Sequence, residues 1–385
     1  MEIEIHKHTE ALCAQRLKHG RTSCGDYYTD LRTEEATTFF LCDGIGSGIQ
    51  AHIAAVMTAH RLKELVGSGL SLLEACGFVI KTMHEARTSE IPFSAFTVIK
   101  VLNSGSATIL SYESPPPVVI SDSFAYLPEQ RHFELNNEIL AECEVDLNSD
   151  NKVLIMTDGI NQAGLGISLK QGFGPEGIAS CLNELLKKNG FNPRILEELQ
   201  DKACALNGGT NIDDATILAV YRIQGSVLNI LTGPPANKLR DKTVSEEFTA
   251  LKGKKVICGS TTAEIVAASL KKDIKPADIS VAHYRPPSYN IEGIDLVTEG
   301  AVTLSQTLNI LDEDSSLYDP ASCVSELAKL LNESTLVNIW VGGAVNTAQD
   351  SIIFRQLGVL PRAKIIALLA EKLRKKGKLV MISSV

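Results

Sequence analysis

Four short aspartate motifs, in a fixed order along the first 222 residues, constrain the fold of this chain most. They are Cys24-Gly25-Asp26-Tyr27, Asp43-Gly44-Ile45-Gly46-Ser47-Gly48, Thr157-Asp158-Gly159-Ile160 and Asp213-Asp214-Ala215-Thr216. Each adjoins an apolar stretch that predicts a buried strand, so we expect each carboxylate where a strand ends. Hard divalent cations prefer such oxygen ligands. The pattern therefore predicts a metal-dependent hydrolase.

The glycines beside two of these aspartates bear on the chemistry. Two divalent ions about 3.5–4 Å apart can activate a water and clamp a phosphoryl group, and such a site needs several carboxylates. Asp43-Gly44 and Asp158-Gly159 offer a carboxylate with little steric bulk beside it. Asp-Gly is also a common turn sequence, and a lone pair would be interpreted that way. Four motifs in this order favour the metal site.

The rhythm of strands and helices predicts two domains. Apolar patterning indicates strands, then two helices, more strands and further helices up to about residue 222, which is an α+β sandwich pattern. Beyond that point single strands and helices alternate, which predicts a smaller α/β domain with an open, Rossmann-like sheet. The change falls between residues 221 and 226. We therefore expect domains at 1–223 and 224–385.

Four predicted strands of the second domain end in loops of small residues. These loops are Thr232-Gly233-Pro234-Pro235, Gly259-Ser260-Thr261-Thr262, Glu299-Gly300 and Gly342-Gly343. In a parallel sheet they would gather at the carboxyl edge, where ligands bind in open α/β folds. The loop formed by Gly259, Ser260, Thr261 and Thr262 opens a helix, so it could bind a small anion. Ordinary capped turns would look the same.

Composition narrows the location and the partners. The net charge of -9 is uneven, because residues 1–225 carry 18 basic and 29 acidic side chains and residues 226–385 carry 19 and 17. An acidic first domain argues against nucleic-acid binding. No apolar run approaches the ~20 residues that span a bilayer, so we expect no membrane association and a cytoplasmic protein. Nine scattered cysteines without a CxxC pair predict buried free thiols.

The ordered set GDYY, DGIGSG, TDGI and DDAT resembles the metal-dependent serine/threonine protein phosphatases (PPM, or phosphatase 2C), in particular the bacterial SpoIIE/RsbU type. Supporting segments are Phe93-Ser94-Ala95-Phe96-Thr97-Val98 and Ser114-Pro115-Pro116-Pro117. The resemblance covers about residues 20–222, a little over half the chain. It implies a phosphatase-2C-like β-sandwich flanked by helices. The remainder of the chain resembles no family clearly.

The resemblance also implies a role for each matching residue. Asp43 corresponds to the carboxylate that bridges two ions, Mn²⁺ or Mg²⁺, and Gly44 to the residue whose carbonyl reaches one of them. Asp158 and Asp213 correspond to ligands of the ion that they share with Asp43. Asp26 corresponds to an early aspartate beside the second ion. Asp43, Asp158 and Asp213 would then be the catalytic carboxylates.

Some positions depart from the family pattern. Asp214 stands where relatives have Asn or Asp, and we expect it to support the ligands without binding metal itself. Cys24 replaces a Gly or Ser. Many relatives carry an early phosphate-binding arginine, and neither Arg16 nor Arg21 clearly matches it. The residue that positions the phosphate is therefore not identified from the sequence.

Two functions remain open. The resemblance implies a bacterial signalling phosphatase in which a metal-activated water hydrolyses phosphoserine or phosphothreonine on a regulatory protein, such as an anti-sigma-factor antagonist, with a regulatory second domain. The alternative is a non-catalytic signalling module of the same fold whose second domain binds a metabolite or partner. A histidine-kinase-type ATP site at Asp43-x-Gly-x-Gly is disfavoured because no asparagine precedes Asp43.

Overall fold

The computed structural model describes residues 6–46, 48–88, 93–148, 150–277, 286–344 and 360–385. The chain divides into two compact units. The first unit is Lys7–Ile223, and the second is Gln224–Val385 together with His6. Among the described residues, no helix has the length and apolar character that crossing a membrane requires.

The first unit contains two sheets of mainly antiparallel strands. Its described strands, β1 to β11 in chain order, are Lys7–Arg16, Asp26–Arg32, Ala36–Gly44, Ser94–Leu102, Ser106–Tyr112, Val118–Ser121, Phe124–Tyr126, Arg131–Leu135, Glu138–Asp146, Lys152–Met156 and Ala215–Gln224. The larger sheet has the order β2-β3-β4-β5-β9-β8, and the smaller has β1-β11-β10-β6-β7.

The first and last strands of this unit, β1 and β11, are neighbours in the smaller sheet. Hydrogen bonds flank the pair at both ends. The amide of Gly225 donates to the carbonyl of His6 at 2.8 Å, and the amide of His19 donates to the carbonyl of Asn211 at 2.8 Å. The two strands therefore run antiparallel, and the chain enters and leaves the unit at the same place.

Strand β3 shows why the first unit is layered. Successive side chains of a strand point to opposite faces. Phe39 and Leu41 lie in the core between the two sheets, whereas Phe40 and Cys42 lie in a second core beneath helices. All four are 4% exposed or less. A strand covered on both faces must be apolar throughout, which explains the continuous Phe39–Cys42 run in the sequence.

Helices cover both outer faces of the sandwich. Helices α1 (Ile49–Gly67) and α2 (Leu72–Thr88) pack on the larger sheet, and α4 (Gly174–Asn189) and α5 (Arg194–Leu206) on the smaller one. A single turn, α3 (Asp158–Asn161), follows β10. The unit is thus a four-layer α/β/β/α sandwich, and the predicted α+β class is confirmed.

The second unit is an open sheet with helices on both faces. Its strands, β12 to β18, are Val227–Thr232, Lys254–Cys258, Lys275–Pro276, Ser288–Asn290, Leu296–Thr298, Leu336–Val341 and Leu379–Ser384. Its described helices, α6 to α10, are Asp241–Ala250, Ser260–Leu270, Ala301–Ile310, Cys323–Glu333 and Arg362–Lys375. Short 3-10 turns occur at Lys238–Arg240 and Ser315–Leu317.

Five strands of this second sheet are parallel, in the spatial order β16-β13-β12-β17-β18. The order runs outwards in both directions from β12, the first strand in the chain. It therefore reverses beside β12, which is where open α/β sheets form their crevice. Helices α8, α9 and α10 share one core on one face, and α6 and α7 share another.

Paired prolines, Pro286-Pro287, predict an irregular loop over residues 284–292 of the second unit. The structure has a short strand within this range, β15 (Ser288–Asn290), which lies between β14 and β16 and pairs antiparallel with both. The prolines precede the strand, where they remove no ladder hydrogen bond. Tyr284 and Arg285 lie outside the described residues.

Candidate metal centre

The structure brings the predicted aspartates of both sheets to one end of the sandwich. Asp26 and Asp43 are direct partners in the β2–β3 register. Asp158 begins α3 just after β10, and Asp213 precedes β11, the neighbour of β10. The expectation that each aspartate follows a strand is wrong for Asp26 and Asp213, which stand at strand starts. In antiparallel pairs, the start of one strand lies beside the end of the next, so both serve one edge.

Asp26 links the two sheets. Its Oδ2 accepts hydrogen bonds from the hydroxyls of Thr216 at 2.6 Å and Thr157 at 2.8 Å. Its other oxygen, Oδ1, is buried and has no hydrogen-bond partner among the described residues. Burial raises the pKa of the Asp26 carboxyl, and the two threonine hydroxyls oppose that rise. One fixed oxygen and one free oxygen leave this carboxylate able to bind a cation.

Asp43 and Asp158 are neighbours across the edge. Their carboxyl groups lie within hydrogen-bonding range of each other. Burial raises the pKa of both, and neighbouring carboxylates raise it further: Asp26 acts on Asp43, and Asp213 acts on Asp158. Several carboxylates held this close repel one another unless protons or cations compensate. The cluster therefore has the electrostatic character of a cation site.

Two glycines allow the elements to approach this closely. A Cβ on Gly44 would overlap the carbonyl oxygen of Ala51 in α1, and a Cβ on Gly159 would overlap the carbonyl oxygen of Asp214. Each glycine therefore lets a segment bearing one motif pack against another segment of the site. The glycines predict open space beside Asp43 and Asp158, and in the structure the protein backbone occupies part of that space.

Asp214 holds two backbone segments in place. Its Oδ1 accepts the amide hydrogen of Lys18 and its Oδ2 that of Gly25, both at 2.8 Å. Both carboxylate oxygens of Asp214 are therefore used by backbone amides. The Lys18 ammonium also reaches Asp213 at 3.4 Å. Lys18 had no recognisable signal in the sequence, whereas Thr157 and Thr216 belong to the quoted motifs.

The phosphate-positioning arginine remains unassigned. Arg16 forms an ion pair at 2.7 Å with Asp201, a residue of α5 that does not belong to the carboxylate cluster. Arg21 reaches towards Gly48, where an added Cβ would lie 3.8 Å from its Nη1. The carbonyl of Cys24 is 2.8 Å from Nδ1 of His52, and burial raises the pKa of the Cys24 thiol. Ser47 of the glycine-rich motif lies outside the described residues.

The residues fit divalent cations by donor chemistry and by the free Asp26 Oδ1. Four neighbouring carboxylates with a single observed lysine contact are strongly anionic, and oxygen donors suit Mg²⁺ or Mn²⁺. Within the described part of the chain, no three His, Cys, Asp or Glu side chains already converge as a complete ligand set around one point. The fit is therefore one of chemistry and proximity.

The second predicted site also takes shape. Gly259, Ser260, Thr261 and Thr262 line a cleft of about 280 Å³ at the carboxyl edge of the parallel sheet. Residues of two other predicted loops, Thr232–Pro234 and Glu299–Gly300, line the same cleft. Gly342 does not line it, but a Cβ there would overlap the carbonyl oxygen of Gly233, so this loop packs directly behind.

Comparison with known proteins finds a family match within the first unit. Residues 33–223 match the SpoIIE family, described as Stage II sporulation protein E. Phosphoserine phosphatase RsbX of Bacillus subtilis (strain 168) is 23% identical over 187 residues, which cover 47% of this chain and 90% of RsbX.

Solved structures give distant likenesses. The RsbU and RsbW domains of Rv1364c from Mycobacterium tuberculosis are 17% identical, with a TM-score of 0.47 over 63% of this chain and 68% of that one. RsbX in complex with magnesium is 19% identical, with a TM-score of 0.40 over 58% of this chain and 98% of that one.

Proposed function

We propose, from the SpoIIE-family domain that residues 33–223 form, that this protein is a cytoplasmic, metal-dependent phosphoprotein phosphatase acting on phosphoserine or phosphothreonine. The observation that carries the proposal is the meeting of Asp26, Asp43, Asp158 and Asp213 at one end of the sandwich. The named activity of the relative RsbX agrees with it. In this proposal the site holds two ions, Mn²⁺ or Mg²⁺.

Each residue of the metal centre has its own role in this proposal. Asp43, Asp158 and Asp213, with the carbonyl of Gly44, would hold the cations, and Asp26 would present its free Oδ1. When bound, such ions supply Lewis acidity to phosphoryl oxygens and lower the pKa of water. Thr157 and Thr216 fix the rotamer of Asp26 through its Oδ2. These contacts preorganise the carboxylates before any substrate arrives.

Two further residues position the backbone of the site. Asp214 ties the amides of Lys18 and Gly25 to the segment before β11. Lys18 in turn places one positive charge beside Asp213. This lysine reduces the repulsion among the carboxylates without neutralising it, so affinity for divalent cations is retained.

The substrate in this proposal is a phosphorylated regulatory protein, for example an anti-sigma-factor antagonist. Support comes from the relative RsbX of Bacillus subtilis, whose name, phosphoserine phosphatase, agrees with a phosphorylated serine as the target. A macromolecular substrate also agrees with the position of the carboxylates at an edge of the sandwich, because Asp43 and Asp158 are only partly buried there.

Phosphate release from phosphoserine and phosphothreonine peptides tests the proposal. We expect turnover with Mn²⁺ or Mg²⁺ and none in excess chelator. Asp43→Asn and Asp158→Asn should each lower turnover by at least about 100-fold, because an amide cannot supply the charge that holds a divalent ion. Asp122→Asn makes the same chemical change at an exposed turn and should retain full activity.

Circular dichroism of each variant shows whether the fold is intact. Turnover at the wild-type rate in Asp43→Asn, or turnover that persists in chelator, would contradict the metal assignment. A well-folded wild-type protein that binds Mn²⁺ without releasing phosphate from any peptide would favour the alternative function, a non-catalytic signalling module of the same fold.

A further inference from the structure

A polar cleft lies at the carboxyl edge of the second sheet, beside the place where the strand order reverses. Its walls come from the ends of β12, β13 and β16 and from the start of α10. We propose that this cleft binds the phosphate group of a small, hydroxyl-bearing molecule such as a sugar phosphate or a nucleotide. The inference goes beyond the phosphatase function and does not depend on it.

Two helices begin at the cleft with uncapped amides. Helix α7 has Gly259 as its N-cap and α8 has Gly300, and neither helix has a side-chain cap hydrogen bond. The first amides of a helix lack partners within the helix and carry the positive end of its dipole. Where Ser, Thr, Asp or Asn would normally satisfy one of these amides, glycine leaves them available to an anion.

A guanidinium group faces the same space. Arg362, the first residue of α10, lines the cleft and donates to the carbonyls of Gly342 at 2.7 Å and Ala344 at 3.1 Å. Burial lowers its pKa, and no carboxylate among the described residues forms an ion pair with it. Both of those hydrogen bonds come from one nitrogen, Nη2, so donors remain for a phosphate oxygen.

A buried hydroxyl provides an independent sign of a ligand. Thr232 ends β12, lines the cleft and is 1% exposed. Its Oγ1 has no hydrogen-bond partner among the described residues. A buried hydroxyl without a partner costs free energy that an acceptor would recover. A phosphate oxygen in the cleft would be such an acceptor, which explains a threonine where valine would otherwise pack as well.

Glu299 indicates that the ligand carries hydroxyl groups in addition to its phosphate. It follows β16 and lines the cleft together with the cationic and amide donors. A carboxylate would repel bare phosphate but accepts hydrogen bonds from hydroxyl groups. A cleft of about 280 Å³ is close to the lower limit of small-molecule sites, so it admits a phosphate and part of a sugar.

Isothermal titration calorimetry on the full chain in EDTA tests this proposal. The chelator removes divalent ions, so the first unit cannot bind phosphate through them. The probes are ribose 5-phosphate, AMP, adenosine and orthophosphate. We expect binding of ribose 5-phosphate or AMP, none of adenosine, and weaker binding of orthophosphate. No binding by either ester, or equal binding of AMP and adenosine, would overturn the proposal.

Matched variants locate the binding. Thr232→Val should weaken binding of the phosphate ester by about tenfold or more without lowering the stability of the protein, because only an unpaired hydroxyl is lost. Thr303→Val changes another fully buried threonine, on α8 and outside the cleft lining, and should leave affinity unchanged. Glu299→Gln should bring the affinities for ester and orthophosphate closer together. Unchanged affinity in Thr232→Val would overturn the assignment of the cleft.

Discussion

At the scale of single residues, small side chains matter as much as the carboxylates. Asp26 is placed by two threonines, and Asp43 and Asp158 meet because glycines beside them let backbone segments touch. A side chain at either glycine would overlap a carbonyl oxygen rather than the flexible end of a side chain. Gly44 and Gly159 therefore determine how closely the backbone segments of the site approach each other.

We predict that Gly44→Ala and Gly159→Ala destabilise the first unit by about 1–3 kcal/mol or more, the usual cost of overpacking. Urea unfolding followed by far-UV circular dichroism would show a lower midpoint. The control is Gly77→Ala in the interior of α2, where the nearest atom would lie at 3.5 Å. That change should be neutral or add up to about 1 kcal/mol. Equal midpoints for Gly44→Ala and wild type would refute the steric argument.

The sequence predicted those site residues that lie in local motifs and missed those that act from a distance. Asp26, Asp43, Asp158 and Asp213 were identified because each adjoins an apolar stretch and a glycine or second aspartate. Lys18 and Arg362 were not identified, because their contacts are made with residues far along the chain or in a loop that only the fold brings near. Such contacts leave no periodic or local signal.

At the scale of elements, long amphipathic or apolar segments were predicted well. Apolar patterning in the sequence predicts a strand at Lys152–Met156 and helices at 49–65 and Arg362–Lys375. The structure has β10 and α10 with these bounds, and α1 ends two residues later, at Gly67. Helix α8 was missed, although α7, which also begins at a glycine without a side-chain cap, was predicted. Strand β2 was missed because Asp26 is the only fully buried residue of its seven, so its apolar pattern is weak.

Strand β13 contributes a pH dependence through a buried thiol. Burial raises the pKa of Cys258 from about 9 to about 12. The pKa of Cys258 is higher in the folded protein than in the unfolded chain. The protonated thiol therefore contributes its full stabilisation of the fold below pH 9, and this contribution is lost as pH rises from 9 towards 12. At pH 10 the loss is about 1 kcal/mol, since the unfolded thiol ionises while the folded one does not.

We therefore predict that the free energy of unfolding of the second unit, measured with urea, falls between pH 8 and pH 10. Cys258→Ala should reduce this fall by about 1 kcal/mol. The single tryptophan, Trp340 on β17, reports unfolding of this unit by fluorescence, with a reductant present to prevent oxidation. Cys181→Ala, in the first unit, should leave the Trp340 curves unchanged. An identical pH dependence in Cys258→Ala and wild type would show that the thiol is not responsible.

At the scale of the whole molecule, each unit has its own apolar interior. The first has a core between its two sheets and one beneath each helical layer, and the second has a core on either face of its sheet. The SpoIIE family match ends at residue 223, close to the change in rhythm seen in the sequence. We propose that 1–223 and 224–385 are separate folding domains.

We predict that residues 1–223, produced alone, fold cooperatively, bind Mn²⁺ and keep the peptide phosphatase activity of the full chain within a few-fold. The reason is that, among the described residues, every buried core residue of the first unit lies at or before Val220. Gel filtration, far-UV circular dichroism and the phosphate-release assay would check this. Insoluble or unfolded protein, when the full chain is soluble, would show that the two units depend on each other to fold.

The pairing of the first strand of this domain with its last has a consequence for how the domain can be reused. Because β1 and β11 lie side by side and run in opposite directions, both connections to the rest of a protein leave from one spot. A gene segment encoding the domain could then be placed before, after or inside another protein without stretching either connection. Joining the old ends and opening a distant surface turn, a circular permutation, should be tolerated for the same reason.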